Sequence, residues 1–220
     1  MSVKGSGFLA IWSDVLPDQE TDYLHWLTRE HAAERVGIPG FLGVRIFRAR
    51  SPSLCRYFIL YRLLDAAVVG SAPYLERLNA PTPWSQRIMP ILQNFVRGGG
   101  TITMEQSTGN GAMIVPVICG AADLESVRTV LPAVRACDRI VSARLLEVEQ
   151  GDTLIATKEK SIRRDDRSFE ALLVVEALDD ASLDAALGIL NGVAGGLGAD
   201  TLRFDQIFAL DYVDLTTEAA

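Results

Sequence analysis

One order of strands and helices is written into this chain twice, and that order limits the fold more than any single residue does. The two statements are separated by "EQSTGNGAM" (105–113), a short polar, Gly-containing linker of turn formers. Before it, the apolar stretch 7–13 reads as a strand. Residues 18–35 read as a helix, with Pro17 near the first turn and Asp18 and Glu20 at the positive helix end. Residues 40–50 and 55–64 read as strands, and Ser51 and Pro52 between them predict a hairpin. A second helical region starts at Asp65, breaks near Gly70 and Pro73, and resumes to Leu78. "NAPTPW" (79–84) is a rigid loop and 84–90 a short helix. A strand follows at 93–105, in which Gly98, Gly99 and Gly100 point to a bulge or a sharp bend.

After the linker the order recurs. Residues 112–119 read as a strand, 123–137 as a helix made irregular by Pro132, and 139–150 as a strand. A long charged excursion, "TKEKSIRRDDR" (157–167), precedes the strand 169–178. The helix 179–193 and the strand 200–212 close the chain. Each half therefore spells β-α-β-β-α-β, the ferredoxin-like unit, giving an α+β chain with one repeat in 1–106 and a diverged one in 107–220. Such a unit has helices on one sheet face and leaves the other apolar face to be covered. Phe8, Ala10 and Trp12 alternate with Leu9 and Ile11, so both faces of the first strand read as buried. The simplest cover is the sheet of the other half. The two antiparallel sheets are expected to close face to face into an α+β barrel within one chain.

Composition excludes several functions. A net charge of −7 and a pI of about 4.9 disfavour a nucleic-acid or anionic-membrane surface, because phosphates need neutralising by Lys and Arg. No apolar run reaches the roughly 18 residues of a membrane span, and no secretory signal opens the chain. Cys55, Cys119 and Cys137 form no C-x-x-C pair and read as small buried residues of a reducing cytoplasm. There is no G-x-S-x-G, P-loop or H-E-x-x-H. "GVAGGLGAD" (192–200) follows a helix rather than opening one, so it reads as a connecting loop and not a phosphate cradle.

The chain has two histidines, and one lies in "REHAAERVGIPGF" (29–41). At 100° per residue, with Tyr23 at 0°, Glu30 falls near 340°, Glu34 near 20° and His31 near 80°, beside the stripe of Tyr23, Leu24, Trp26 and Leu27. His25 falls on the far side and reads as solvated. Polar residues on an inward face are costly unless paired or wet. Two readings follow. In one, this is a surface helix end, with the acids paired to Arg35, Arg45 or Arg48. In the other, His31 is offered to a ligand at a cavity mouth.

"REHAAERVGIPGF", after "YLHWL" and before an Arg-rich strand, resembles the E-H-x-x-x-R…P-G-F signature of the dimeric α/β-barrel superfamily. The nearest groups are the EthD-like and NIPSNAP-like ones and related small proteins. The resemblance covers roughly residues 7–105; the second half matches in layout only. It implies a pocket between sheet and helices with a His from the first helix at its edge. The superfamily includes cofactor-free monooxygenases, polyketide cyclases, muconolactone-type isomerases, aldoxime dehydratases and haem-degrading enzymes, so fold alone does not fix function. Glu30, His31, Arg35, Pro39, Gly40 and Phe41 carry the match. His31 alone has catalytic chemistry, and the last three read as the helix-to-strand turn.

The expectation is then a cofactor-independent enzyme acting on a small apolar, oxygen-bearing metabolite: an aromatic, a polyketide-like compound or a lactone. His31 would shuttle the proton and Glu34 or Glu30 would orient it. Trp12 and Trp84 are candidate aromatic walls. Tyr57 and Tyr61 share one strand face and could donate to a ligand oxygen, and Arg45 could hold a carboxylate or enolate. Each has a structural alternative: core plug, core tyrosine, ion-pair partner. His31 with two glutamates is an untypical metal set, and a haem on His31 is a minor alternative. A non-catalytic binder of a hydrophobic ligand and a packed scaffold are the competing functions. A monomer and a homodimer are both open.

Overall fold

The computed structural model describes residues 4–51, 55–149, 151, 155–163, 166–193, 197 and 201–217. Strands β1 (Gly7–Val15), β2 (Phe41–Ala49), β3 (Cys55–Leu63), β4 (Gln93–Ser107), β5 (Met113–Cys119), β6 (Ile140–Val148), β7 (Ala171–Ala177) and β8 (Phe204–Asp211) are joined by helices. The first helix runs as α1 (Glu20–Trp26), a π turn (Leu27–His31) and α2 (Ala32–Val36). A 3-10 turn (Ala66–Gly70), α3 (Ala72–Asn79) and α4 (Pro83–Ile88) lie between β3 and β4. In the second half come α5 (Leu124–Ala136), α6 (Lys158–Ile162), α7 (Asp180–Asn191) and α8 (Tyr212–Thr217). None of the described helices is long and apolar enough to cross a membrane. Pro52 of the expected hairpin turn and most of 192–200 lie outside the described residues.

The sheet closes on itself in the order β1-β3-β2-β8-β5-β7-β6-β4. The pairings between these strands are antiparallel, as the sequence predicts. Read around the circle, β4-β1-β3-β2 make one run and β8-β5-β7-β6 the other. The long strand β4 joins them: Gln93–Thr101 pair with β1, and Gly100–Ser107 pair with β6. The contact between β5 and β8 is short: among the described residues it pairs Met113↔Asp205 and Ile114↔Phe204.

The three glycines of β4 do something other than bulge. Their pairing with Phe8, Leu9 and Ala10 is regular, and β4 changes register elsewhere, between Ile102 and Met104. The glycines sit where packing leaves no room. A Cβ on Gly98 would lie 2.6 Å from the Phe169 ring, and one on Gly100 would lie 2.1 Å from the Glu147 carbonyl oxygen. Gly40 has a different reason to be glycine. Its φ of +94° makes the turn from α2 into β2 in the left-handed region.

Alternation along β1 sorts its side chains between two cores. Phe8, Ala10 and Trp12 point into the barrel with Phe47, Phe58 and Leu172, while Leu9 and Ile11 face the helices of the first half. A third core lies under α5 and α7. The barrel interior is therefore filled at one end, where the Trp12 ring packs 4.6 Å from Phe58 and 5.4 Å from Phe169.

The other end is polar. Glu176 is fully buried and accepts from Arg45 Nη1 (2.7 Å), from the Gly111 amide (2.8 Å) and from Arg144. Glu105 accepts from Arg144 Nε (2.7 Å) and Arg62 Nη2 (3.0 Å) and sits 3.1 Å from Lys4. Burial alone would raise the Glu105 carboxyl, but the hydrogen bonds from Arg62 and Arg144 outweigh it and bring it down to about 2.

Candidate functional site

The π turn sets the geometry of the site. Ala32 donates its amide to the Leu27 carbonyl, five residues back. In an unbroken α-helix, residues five apart diverge by about 140°. Here the extra residue in the turn brings Trp26 and His31 onto one face, with ring centroids 4.2 Å apart and planes tilted by 31°. Such turns interrupt helices at sites of function often enough to direct attention to them. Trp26 is held from behind, its Nε1 donating to Ser85 Oγ at 3.1 Å. Tyr23, one turn earlier, shares a 2.9 Å hydrogen bond with Ser13 Oγ on β1.

His31 is buried, 6% exposed. Its Nδ1 has no hydrogen-bond partner, and Glu34 Oε2 lies 4.0 Å away, too far for a bond. Burial first, and then the charges of Arg35 and Arg163, hold the imidazole well below the usual histidine range. It is therefore neutral at physiological pH. Burial pushes the Glu34 carboxyl up, and Arg35, 3.5 Å away, partly opposes this.

A cavity of about 180 Å³ lies between the helix-facing side of the sheet and the helices of the first half. Leu9, Ile11, Ile59 and Tyr61 form its floor; Trp26, His31 and Tyr74 are among its walls. The Tyr61 hydroxyl is buried without a partner, and burial raises its pKa far above the ordinary phenol value. The mouth is covered from the second half of the chain. Glu159 of α6 is 2% exposed and pairs with Arg35, also 2% exposed. Arg163 stacks 4.2 Å over the Phe95 ring, and its Nη2 donates to Asp166 at 2.8 Å.

The structure gathers only some of the residues named from the sequence. His31 and Tyr61 line the cavity, and Glu34 stands behind His31. Glu30 turns away and accepts from Thr82 Oγ1 at 2.6 Å, tying the helix to the "NAPTPW" loop. Trp84 lies outside the cavity lining, its Nε1 donating to Asp22 at 3.1 Å. Tyr57 shares Tyr61's strand face but lies about 13 Å along the strand. It donates to Glu20 instead. Trp12 is inside the barrel, on the opposite face of β1 from the cavity. Arg45 belongs to the polar barrel end, where it binds Glu176 and Gln206, and Arg48 takes Glu20. Arg35 enters the sequence reading only through the family signature and as an ion-pair partner of the acids, and Glu159 and Arg163 do not enter it at all. Only the i, i+4 spacing of Glu159 and Arg163 hinted at a helix in that charged stretch.

The cavity beside His31 is little larger than the roughly 150 Å³ that takes one benzene ring. Among the described residues no three His, Cys, Asp or Glu side chains are grouped to hold a metal ion.

No protein-family model matches the chain, and no curated protein matches it in sequence. Solved structures do match. A protein from Fusobacterium nucleatum named as a candidate monooxygenase superposes with a TM-score of 0.56 at 10% identity, over 94% of this chain and 95% of that one. An anthrone oxidase-like protein gives 0.57 at 10% identity, over 96% of each chain. The chlorite dismutase of Candidatus Nitrospira defluvii gives 0.50 at 11% identity, over 97% and 95%. Identities this low speak for fold alone, and they single out neither the EthD-like nor the NIPSNAP-like group. A closed eight-stranded antiparallel sheet with helices outside it, matched end to end by these proteins, gives this chain their ferredoxin-like α/β-barrel fold.

Proposed function

We propose that the chain is a cofactor-independent enzyme that holds one compact, largely apolar, oxygen-bearing molecule in the His31 cavity and moves a proton with His31. The observation that carries this reading is a pair of buried, unpartnered polar atoms, His31 Nδ1 and the Tyr61 hydroxyl, on residues that line one cavity. An unsatisfied buried group costs about 1–3 kcal/mol. A ligand that meets these groups removes that cost and so binds with the gain.

The chemistry follows from the charge states. A neutral imidazole is ready to accept a proton from a C–H or O–H acid. The bond broken is substrate C–H or O–H, the bond formed is N–H on His31, and the electron pair stays on the substrate as an enolate or phenolate. Tyr61 donates a hydrogen bond to the oxygen where that charge collects, and the guanidiniums of Arg35 and Arg163 favour it at longer range. Glu34 Oε2, 4.0 Å from the same Nδ1 that meets the ligand, offsets the positive charge once the proton arrives. Proton removal of this kind opens isomerisation, cyclisation, dehydration and cofactor-free oxygenation alike. The neighbours' names, monooxygenase and anthrone oxidase-like, point toward the last. The cavity suits one ring rather than a tricyclic compound.

The strand runs β4-β1-β3-β2 and β8-β5-β7-β6 support reading residues 1–106 and 107–220 as two copies of one βαββαβ unit. The first carries the site and the second supplies its cover. Turnover of single-ring aromatics and lactones by wild type, His31→Gln and Tyr61→Phe tests the reading. Loss of turnover in His31→Gln with ligand affinity retained is expected; equal rates in wild type and His31→Gln reject it. The unclosed His31–Glu34 gap favours a plain binding protein as the second reading. That protein would show affinity without turnover in any variant.

A further inference from the structure

The cavity is lined by more positive charge than an acidic protein would place there by chance. The chain carries −7 overall. Among the described residues, the cavity lining holds five cationic side chains, Arg35, Arg97, Lys160, Arg163 and Arg167, against two acidic ones, Glu159 and Asp166. The two acids are already committed: Glu159 to Arg35, and Asp166 to Arg163. The surplus is three cations at the mouth. Arg97 is half-buried and makes no ion pair among the described residues, its Nη2 donating to the neutral Tyr74 hydroxyl at 3.3 Å. Lys160 is half-buried, Arg167 is exposed, and neither makes an ion pair among the described residues. Cations that share a concave rim over low-dielectric walls, in excess of the carboxylates there, raise the local concentration of anions and their rate of entry. Behind the rim, Arg35 Nη1 has no hydrogen-bond partner, and the Tyr61 hydroxyl has a proton to give.

We propose that the molecule held beside His31 is an anion, a single-ring carboxylate drawn in by Arg97, Lys160 and Arg167. This rests on the cavity being the ligand site, as proposed above. The ring occupies the apolar floor of Leu9, Ile11 and Ile59. The carboxylate takes Arg35 Nη1 and the cationic side of the cavity, and the Tyr61 hydroxyl stays with the oxygen on which charge develops. The proton given up to His31 comes from a second position of the molecule. The substrate class narrows from any oxygen-bearing apolar compound to small aromatic or cyclic acids.

Benzoate and its neutral analogue benzamide test this. Binding to the full chain is followed by the NMR signals of the His31 and Trp26 rings, which report on the cavity itself. The comparison is repeated in the triple variant Arg97→Gln/Lys160→Gln/Arg167→Gln, whose substitutions lie at the rim and spare the buried pairs. Benzoate is expected to bind at least about tenfold more tightly than benzamide at low salt. That preference should fall about tenfold in the variant and weaken as salt rises. Equal binding of the two probes, or a preference unchanged in the variant, overturns the anion assignment and leaves the cavity reading standing. If neither probe moves the ring signals, both the assignment and the cavity reading fail.

Discussion

The indole of Trp26 and the imidazole of His31 lie against each other, 4.2 Å between centroids, because a π turn has pulled residues five apart onto one face. The stack buries the imidazole, and burial is the first cause of its lowered pKa. The linkage to stability has a definite sign. Below about pH 6.5 the unfolded chain takes up a proton on His31 that the folded chain refuses. This contribution is therefore complete above pH 6.5 and is lost as the pH falls from there toward the folded-state value. The slope is at most about 1.4 kcal/mol per pH unit for one proton. Urea unfolding of wild type and His31→Gln at steps between pH 7 and 5.5 should show wild type losing stability faster. Parallel curves would contradict a depressed imidazole.

Tyr61→Phe separates stability from activity. The hydroxyl is buried and unbonded, so removing it takes away a desolvation cost rather than a bond. The melting temperature should hold or rise by a degree or two. Turnover on any substrate found should fall about 100- to 1000-fold, the range for a lost donor to a developing oxyanion. A drop in melting temperature of several degrees would mean that the hydroxyl has a structural partner.

Glu176→Gln tests the polar end of the barrel. Two guanidiniums and an amide converge on this carboxylate, which is fully buried. Removing its charge leaves, among the described residues, Glu105 as the one acidic partner of Arg144 and none for Arg45. A loss of about 3–5 kcal/mol is expected on denaturant unfolding. The His31 cavity lies outside the barrel, so ligand binding there should change little at temperatures where the variant is folded.

Glu159→Gln acts on the cover. It leaves Arg35, 124 positions away in sequence, with only the looser Glu34 contact. Trypsin should then cut more readily after Lys158 or Lys160, while the rest of the chain stays resistant. Global unfolding at the same rate as cleavage would show that the pair holds the whole fold and not the cover alone.

The strands and long helices were legible in the sequence because their apolar periods are clean. The closed sheet followed from one particular, the burial of both faces of β1. That same particular hid which face is which. With Phe8, Trp12, Leu9 and Ile11 all buried, alternation cannot tell the barrel interior from the helix layer, so it cannot say that Trp12, a candidate cavity wall, lies inside the barrel. The helical wheel misplaced Glu30 for another reason. A steady 100° per residue sets Glu30, His31 and Glu34 on one face, and the π turn at Leu27–His31 breaks that phase midway. Glu30 then goes to Thr82 while His31 goes to the cavity. Arg35, Glu159 and Arg163 were beyond reach because their meeting depends on where a charged stretch of the second half folds back. No local pattern encodes that.

The short meeting of β5 with β8 has a consequence for motion. A hoop held by seven or more paired residues at its other joins and by two at this one will part there first when heat or denaturant strains it. Around the circle, that seam lies diametrically opposite the join of β1 and β4, and the cavity floor rests on β1 and its neighbour β3. The molecule can breathe on its far side while the strands that carry Tyr61 and face His31 stay in register.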